Sequence, residues 1–197
     1  MREQHTPRKG VILLEGARGD GFYYVRSGLI KVYRTSVAGR EQVLRLLGAG
    51  ETFNDVPALD GGSNPASAAA MERSLVYVLG QEQLHRLVQE HPEVADAAIK
   101  RLALALRGLV SVVGDLSFLH VKARLAKALI EQEEAIAEGR RTRYCTQLEL
   151  AAIIGTTREI VARALAAFEA LGAVEIVKGR ARVADRAHLR ALLEPGA

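Results

Sequence analysis

The sequence predicts an α+β chain in three consecutive parts, and three observations carry that prediction. Short apolar runs punctuated by glycine fill the stretch from about Lys9 to Leu79. Apolar residues then recur at alternating steps of four and three from Ala95 to Leu116. Finally, Thr146-Gln147-Leu148-Glu149 and Thr156-Thr157-Arg158-Glu159 open helical segments on either side of Gly155. These patterns belong to a β-sandwich or barrel, a long seamed helix and helix-turn-helix geometry. The parts span residues 1–91, 92–119 and 120–197.

In the first part, Val11-Ile12-Leu13-Leu14, Phe22-Tyr23-Tyr24-Val25, Leu29 to Tyr33, Gln42 to Leu47 and Leu75 to Leu79 are strand-length, and turn residues end most of them. Their aromatic and β-branched content suits a pleated surface. His91-Pro92 then begins a helix, because proline fits the first turn. Its seam is Ala95, Ile99, Leu102, Leu106, Leu109, Val113 and Leu116. A 3.5-residue period points to an identical partner, so the chain is expected to form a homodimer through Ile99, Leu102, Leu106, Leu109, Val113 and Leu116. The alternative is the core helix of a monomer. The flanking Ala98, Leu104, Val110 and Val112 call for a second packed face.

From Val121 the chain is helical again, with Ala123, Leu125, Ala126, Leu129 and Ile130 on one face. It breaks at Glu138 to Thr142. The Thr146/Glu149 pair is a capping box, a hydroxyl for the third amide and a carboxylate reaching back. A helix from Leu148 to about Ile154 stops at Gly155, and the next runs to Gly172. Val174 to Val177 and Ala181 to Val183 form a hairpin, and Asp185 caps a last helix.

Composition narrows the function. The 197 residues are 49% apolar and 25% charged, with a formal charge of +4. The balance is 13 Lys/Arg against 10 Asp/Glu from His120 onward, mild but compatible with a polyanionic partner. There is no membrane-length apolar run and no apolar leader after Met1, so a cytoplasmic location is expected. The lone Cys145 excludes an internal disulfide and a four-cysteine metal or iron–sulfur site within one chain. Before residue 90 only His5 and His85 could serve a metal, with no His-x-His pair, and Cys145 has no histidine near it in sequence. No Gly-x-Ser-x-Gly or phosphate-loop motif is present. Nothing argues for an enzyme.

The second helix of the pair carries the sharper chemistry. Arg158, Glu159 and Arg163 stand at its amino-terminal end, the part that reads base edges in recognition helices. Arginine can bond guanine in bidentate fashion, and glutamate can accept from cytosine N4. A plain Glu159–Arg163 surface pair is the bland alternative. A neighbouring hairpin bearing Lys178, Arg180 and Arg182 favours double-stranded DNA.

With these residues in place, the sequence resembles the cAMP receptor protein/FNR superfamily of bacterial transcription regulators from Lys9 to about Leu193. The marks are Phe22-Tyr23-Tyr24-Val25-Arg26-Ser27-Gly28, Ala38-Gly39-Arg40-Glu41, Gly50-Glu51-Thr52-Phe53, Leu116-Ser117-Phe118-Leu119 with Arg124, and Leu150-Ala151 through Gly155-Thr156-Thr157-Arg158-Glu159-x-Val161-x-Arg163. The resemblance implies an effector-binding, cyclic-nucleotide-binding-like jelly roll, a dimerisation helix, a winged helix-turn-helix, and RNA polymerase as a partner. It makes Arg158, Glu159 and Arg163 base readers of TGTGA-like half-sites. It also makes Thr146, Gln147 and Thr157 phosphate contacts, with Lys178 and Arg180 on the wing.

Departures from the family pattern shape the effector expectation. The chain begins almost at the first apolar strand, where relatives carry a further helix. Phe53, Asn54, Asp55, Pro65, Ala66 and Ser67, with Leu106 and Leu109, match the effector pocket. Pro65 stands where a phosphate-pairing arginine would be, Asp55 remains as a repelling carboxylate, and Leu109-Val110 replace an adenine-contacting Thr-Ser pair. The sequence therefore argues against cAMP. The Phe22-Tyr23-Tyr24 phrase and the Asn64-Pro65-Ala66-Ser67 loop resemble the nitrogen-oxide-responsive branch, leaving haem (on His5, His85 or His91), another small apolar ligand, or no effector. A scaffold whose helix-turn-helix serves protein contacts is the competing function class.

Overall fold

The computed structural model describes residues 1–193. They form two compact units, Met1–Arg34 with Leu44–Ser111, and Thr35–Val43 with Val112 onward.

The first eight strands form two four-stranded sheets, which hold most of the first unit; Thr35 of β4 and Glu41–Val43 of β5 are counted with the second. One has the order β1-β8-β3-β6, from β1 (Arg2–Thr6), β3 (Gly21–Ser27), β6 (Thr52–Phe53) and β8 (Ser74–Gly80). The other has the order β2-β7-β4-β5, from β2 (Val11–Leu13), β4 (Ile30–Thr35), β5 (Glu41–Leu47) and β7 (Ser67–Ala70). Alternation supplies the inward faces: Tyr23 and Val25 on β3 and Val76 and Val78 on β8 are buried together with Leu13, Ile30, Leu47 and Phe53. Tyr23 stacks on Phe53 with centroids 4.9 Å apart, and its hydroxyl donates to Asp20 at 2.8 Å. Burial, then that bond to a carboxylate, pushes the phenol pKa well up. Gly28 must be glycine. It sits at φ +95°, and an added Cβ would come within 2.8 Å of the Ser74 Cα.

Three elements depart from the sequence expectation. A strand, β1, precedes Val11 and pairs antiparallel with β8 from Arg2↔Val78 to Thr6↔Ser74. β7 is a Ser-Ala run held between β2 and β4. The stretch after Phe53 contains a short helix, α1 (Asp55–Asp60), entered through Asn54 in the left-handed region and left through Gly61.

Two helices follow, α2 (Gln81–Glu90) and α3 (Pro92–Phe118). Across its 27 residues α3 buries no side chain within the single chain. Ile99, Leu106 and Val113 are more than 60% exposed; Leu109 and Leu116 are also exposed, and Leu102 is half-buried. The residues expected at the dimer seam thus form an open apolar stripe.

In the second unit, α4 (Val121–Ala137) buries Ala123, Leu125, Ala126, Leu129 and Ile130, the face expected from sequence. Next come α5 (Gln147–Ile154), α6 (Arg158–Ala170), the hairpin β9 (Val174–Val177) and β10 (Arg180–Val183), and α7 (Arg186–Ala191). Asp185 caps α7, accepting from Ala187 and His188 amides.

Candidate nucleic-acid interface and effector region

The α5–α6 pair is fixed by its ends. Thr146 caps α5 through a complete capping box: Glu149 N donates to the Thr146 hydroxyl at 3.2 Å, and Thr146 N donates to the Glu149 carboxylate at 2.8 Å. Gly155 closes the helix in the left-handed region at φ 70°, which lets the chain turn directly into α6. Thr156 and Glu159, likewise three residues apart, form no such box. The N-cap is Thr157, without a side-chain cap bond. The Glu159 carboxylate instead accepts from its own backbone amide and the Thr157 hydroxyl, which hold its pKa below the usual carboxylate value.

Val161, Ala164, Leu165 and Phe168 anchor α6 in the unit's core. That leaves Arg158, Glu159 and Arg163 exposed, with Glu159 and Arg163 one turn apart on one face. Thr157, Thr146 and Gln147 are half-buried at the two helix starts. The Thr146 hydroxyl is already spent on its cap. Lys178 lies at the tip of the β9–β10 turn, where Lys178 (φ 50°) and Gly179 (φ 73°) both take positive φ, as a type I′ hairpin turn requires.

A network unanticipated from the sequence surrounds Tyr144. Arg180, expected on the DNA side of the wing, donates to the Tyr144 carbonyl and is half-buried. The Arg182 guanidinium sits 5.1 Å from the Tyr144 ring centroid, and the Tyr144 hydroxyl donates to Glu133 at 3.0 Å. Glu133 also accepts from the Val183 amide at 2.9 Å. Arg143 adds a bidentate bond to Glu149 at 2.8 and 2.9 Å. Burial raises the Glu149 pKa, but the Arg143 bonds and the Thr146 amide outweigh it and hold the carboxyl below its ordinary value. The basic stretch from Arg140 to Arg143 is engaged within the protein as well: Arg140 pairs with Glu138 at 2.5 Å, as Arg143 does with Glu149. Cys145 is buried, and burial pushes its thiol pKa up.

In the first unit, the polar side chains of the expected effector segment are turned to structural use. Asn54 donates to the Gly21 carbonyl at 2.9 Å, Asn64 donates to the Leu14 carbonyl at 3.1 Å, and the Ser67 hydroxyl accepts from the Glu15 amide at 3.0 Å. Phe53 and Ala66 are buried and Pro65 is exposed. No Lys or Arg occurs from Leu46 to Glu72, so this segment offers a phosphodiester no charge partner of its own. Asp55 is buried, with Arg45 at 3.9 Å. Leu106 and Leu109 project from α3. His85 holds its Nε2 3.0 Å from the Leu59 carbonyl, and His91 lies 3.3 Å from Glu93. Among the described residues no three His, Cys, Asp or Glu side chains gather as a metal site. None of their helices is long and apolar enough to cross a membrane.

Two protein families match different parts of the chain. The cyclic nucleotide-binding domain family matches residues 3–91, and the Crp-like helix-turn-helix domain family matches residues 123–192. The "Cyclic AMP receptor protein" of Thermus thermophilus is 34% identical over 184 residues, spanning 93% of this chain and 84% of that protein. A "CRP-like cAMP-activated global transcriptional regulator" of Mycobacterium tuberculosis is 30% identical over 188 residues, with the same coverage. A CRP/FNR-family regulator from Thermus thermophilus has the same fold, with a TM-score of 0.82, 23% identity and complete coverage of both chains.

Proposed function

Because the chain belongs to the cAMP receptor protein/FNR superfamily of DNA-binding transcription regulators, we propose that it acts as a homodimer on two-fold related promoter sites under an effector other than cAMP. The observation that carries the DNA half is the exposed amino-terminal end of α6, where Arg158, Glu159 and Arg163 stand free of the core. Arg158 and Arg163 bond guanine edges and Glu159 accepts from cytosine. To do so Glu159 leaves its Thr157 bond, a small cost at an exposed position. Lys178 at the wing tip and the amino ends of α5 and α6 hold phosphates, with Gln147 and Thr157 offering polar side chains there. The open stripe of α3 supports the dimer. RNA polymerase is the natural protein partner of such a regulator.

The relatives named above are cAMP proteins by description. Against cAMP here stand Pro65, the absence of a cation from Leu46 to Glu72, and apolar Leu109-Val110. A cyclic phosphate would lose its bidentate charge partner and meet Asp55.

Selection from random double-stranded DNA tests the reading. Palindromic sites with TGTGA-like halves, centred about 34 Å apart, are expected, with TTGAT-like halves as the competing consensus. Arg158→Ala costs about 1–3 kcal/mol and relaxes one guanine, whereas Lys178→Ala weakens every sequence alike and flattens the salt dependence. Asymmetric sites, or none, would defeat the two-fold readout.

A further inference from the structure

Strand β5 contains an arginine where its own pattern asks for an apolar residue. Leu47 is buried in the core between the sheets and Val43 is also buried, and period-2 alternation places Arg45, midway between them, on the same face of the strand. Its side chain is 23% exposed and faces Asp55, 10% exposed, at 3.9 Å. That separation is well beyond a charge-assisted hydrogen bond, and among the described residues the Arg45 guanidinium has no hydrogen-bond partner. Burial lowers its pKa, with Asp55 and Glu51 opposing and Arg101 adding to the fall. Arg101 reaches in from α3 and donates to the Thr52 carbonyl at 3.2 Å, while its Nε is buried without a partner. The Asp55 carboxylate accepts from the Thr52 hydroxyl at 3.3 Å. Two guanidinium groups with unused donors thus lie close together in the β unit, opposed by a carboxylate that bonds neither of them well. The Arg101 Nε is a buried donor left unmade, which is costly, whereas the Arg45 donors are partly open to solvent. A charge at an inward position breaks the local pattern, and such violations concentrate at functional sites.

We propose that Arg45 and Arg101 are the anchoring pair of an effector site for a small molecule bearing an oxyanion, a carboxylate or a phosphate. The oxyanion takes the Arg45 donors, and Asp55 is displaced from its long contact. This deepens the effector-controlled reading above and rests on it for its regulatory meaning. The site shares Asp55 with the segment between Asn54 and Ser67, but its cations come from outside that segment, which carries none.

The test titrates full-length protein with inorganic phosphate and with acetate, at ionic strength held constant with chloride, by calorimetry and thermal unfolding. At least one probe should bind saturably in the wild type. Arg45→Gln and Arg101→Gln should each abolish that response. Asp55→Asn, which removes the competing carboxylate, should tighten binding by about tenfold, the lower end of what a charge-assisted bond is worth. A purely structural ion pair predicts the opposite, a less stable Asp55→Asn protein with no gain in anion affinity. A response to one probe alone identifies the oxyanion. Silence with both probes, or a response unchanged in the Arg45 and Arg101 variants, overturns the site. If Arg45→Gln does not fold, Arg101→Gln and Asp55→Asn decide the matter. DNA binding measured in parallel keeps the two readings apart: palindrome binding without an anion response sinks only this site, and an anion response without DNA binding sinks only the regulator.

Discussion

Replacing Glu149 by alanine tests how the amino end of α5 is held. The carboxylate accepts two bonds from Arg143 and one from the Thr146 amide, and the side chains of Arg143 and Glu149 are only 18% and 20% exposed. Solvent therefore screens this pair less than a surface ion pair. Loss of half the capping box costs about 1 kcal/mol. Losing the Arg143 bonds and leaving that guanidinium half-buried costs about 2 kcal/mol more once non-additivity is allowed for. The total of about 3 kcal/mol moves a urea midpoint by roughly 2 M at an ordinary slope, read by far-UV circular dichroism. The pH dependence follows. Because the folded pKa lies below the unfolded one, the contribution is complete above the unfolded value and disappears as pH falls through the folded value. The stability gap between wild type and Glu149→Gln should therefore narrow in acid, below the ordinary glutamate range. A loss under about 1 kcal/mol, or strict additivity with Arg143→Met, would refute the reasoning.

Other outcomes follow from the same geometry. Leu106→Glu with Leu109→Glu places charge on the α3 stripe and should leave a folded monomer at micromolar concentration in light scattering; a wild-type monomer would show that the seam was misread. Calorimetry with cAMP should give no saturable heat in the micromolar range, and DNA binding should not depend on the nucleotide. Gly28→Ala should lose about 3 kcal/mol in thermal unfolding, from its positive φ and its approach to Ser74; an unchanged midpoint would mean that the β3–β4 turn relaxes freely.

The legible parts of the chain were those where one strong pattern acted alone. The capping box at Thr146, the stop at Gly155 and the wing strands were readable because each rests on local chemistry. β1 was not, because Arg2-Glu3-Gln4-His5-Thr6 buries only Thr6 and so shows no alternation; its pairing with β8 makes it a strand. β7 was hidden by alanines, poor strand formers, that are buried because β2 and β4 flank them. α1 is one short turn-and-a-half within a Gly- and Pro-containing stretch. For the site, α6 was readable from residue type and position. The Tyr144 network was not, since Glu133, Tyr144, Arg180 and Arg182 meet only in three dimensions. Arg45 did leave a trace, a charge splitting Val43-Leu44 from Leu46-Leu47, which an account built on apolar runs passes over.

The ties at Tyr144 also bear on the thermodynamics of docking. A β-hairpin of four-residue strands is by itself marginal in water, and a loose one would have to be ordered by DNA at an entropic cost. Here Arg180, Arg182 and the Val183 amide fasten it to the segment before α5 and to Glu133 on α4. The spacing between Lys178 and the start of α6 is thereby set before any phosphate arrives. Little of the free energy of each phosphate contact is then consumed in ordering the wing, and the heat-capacity change on binding should reflect the surface covered rather than coupled folding.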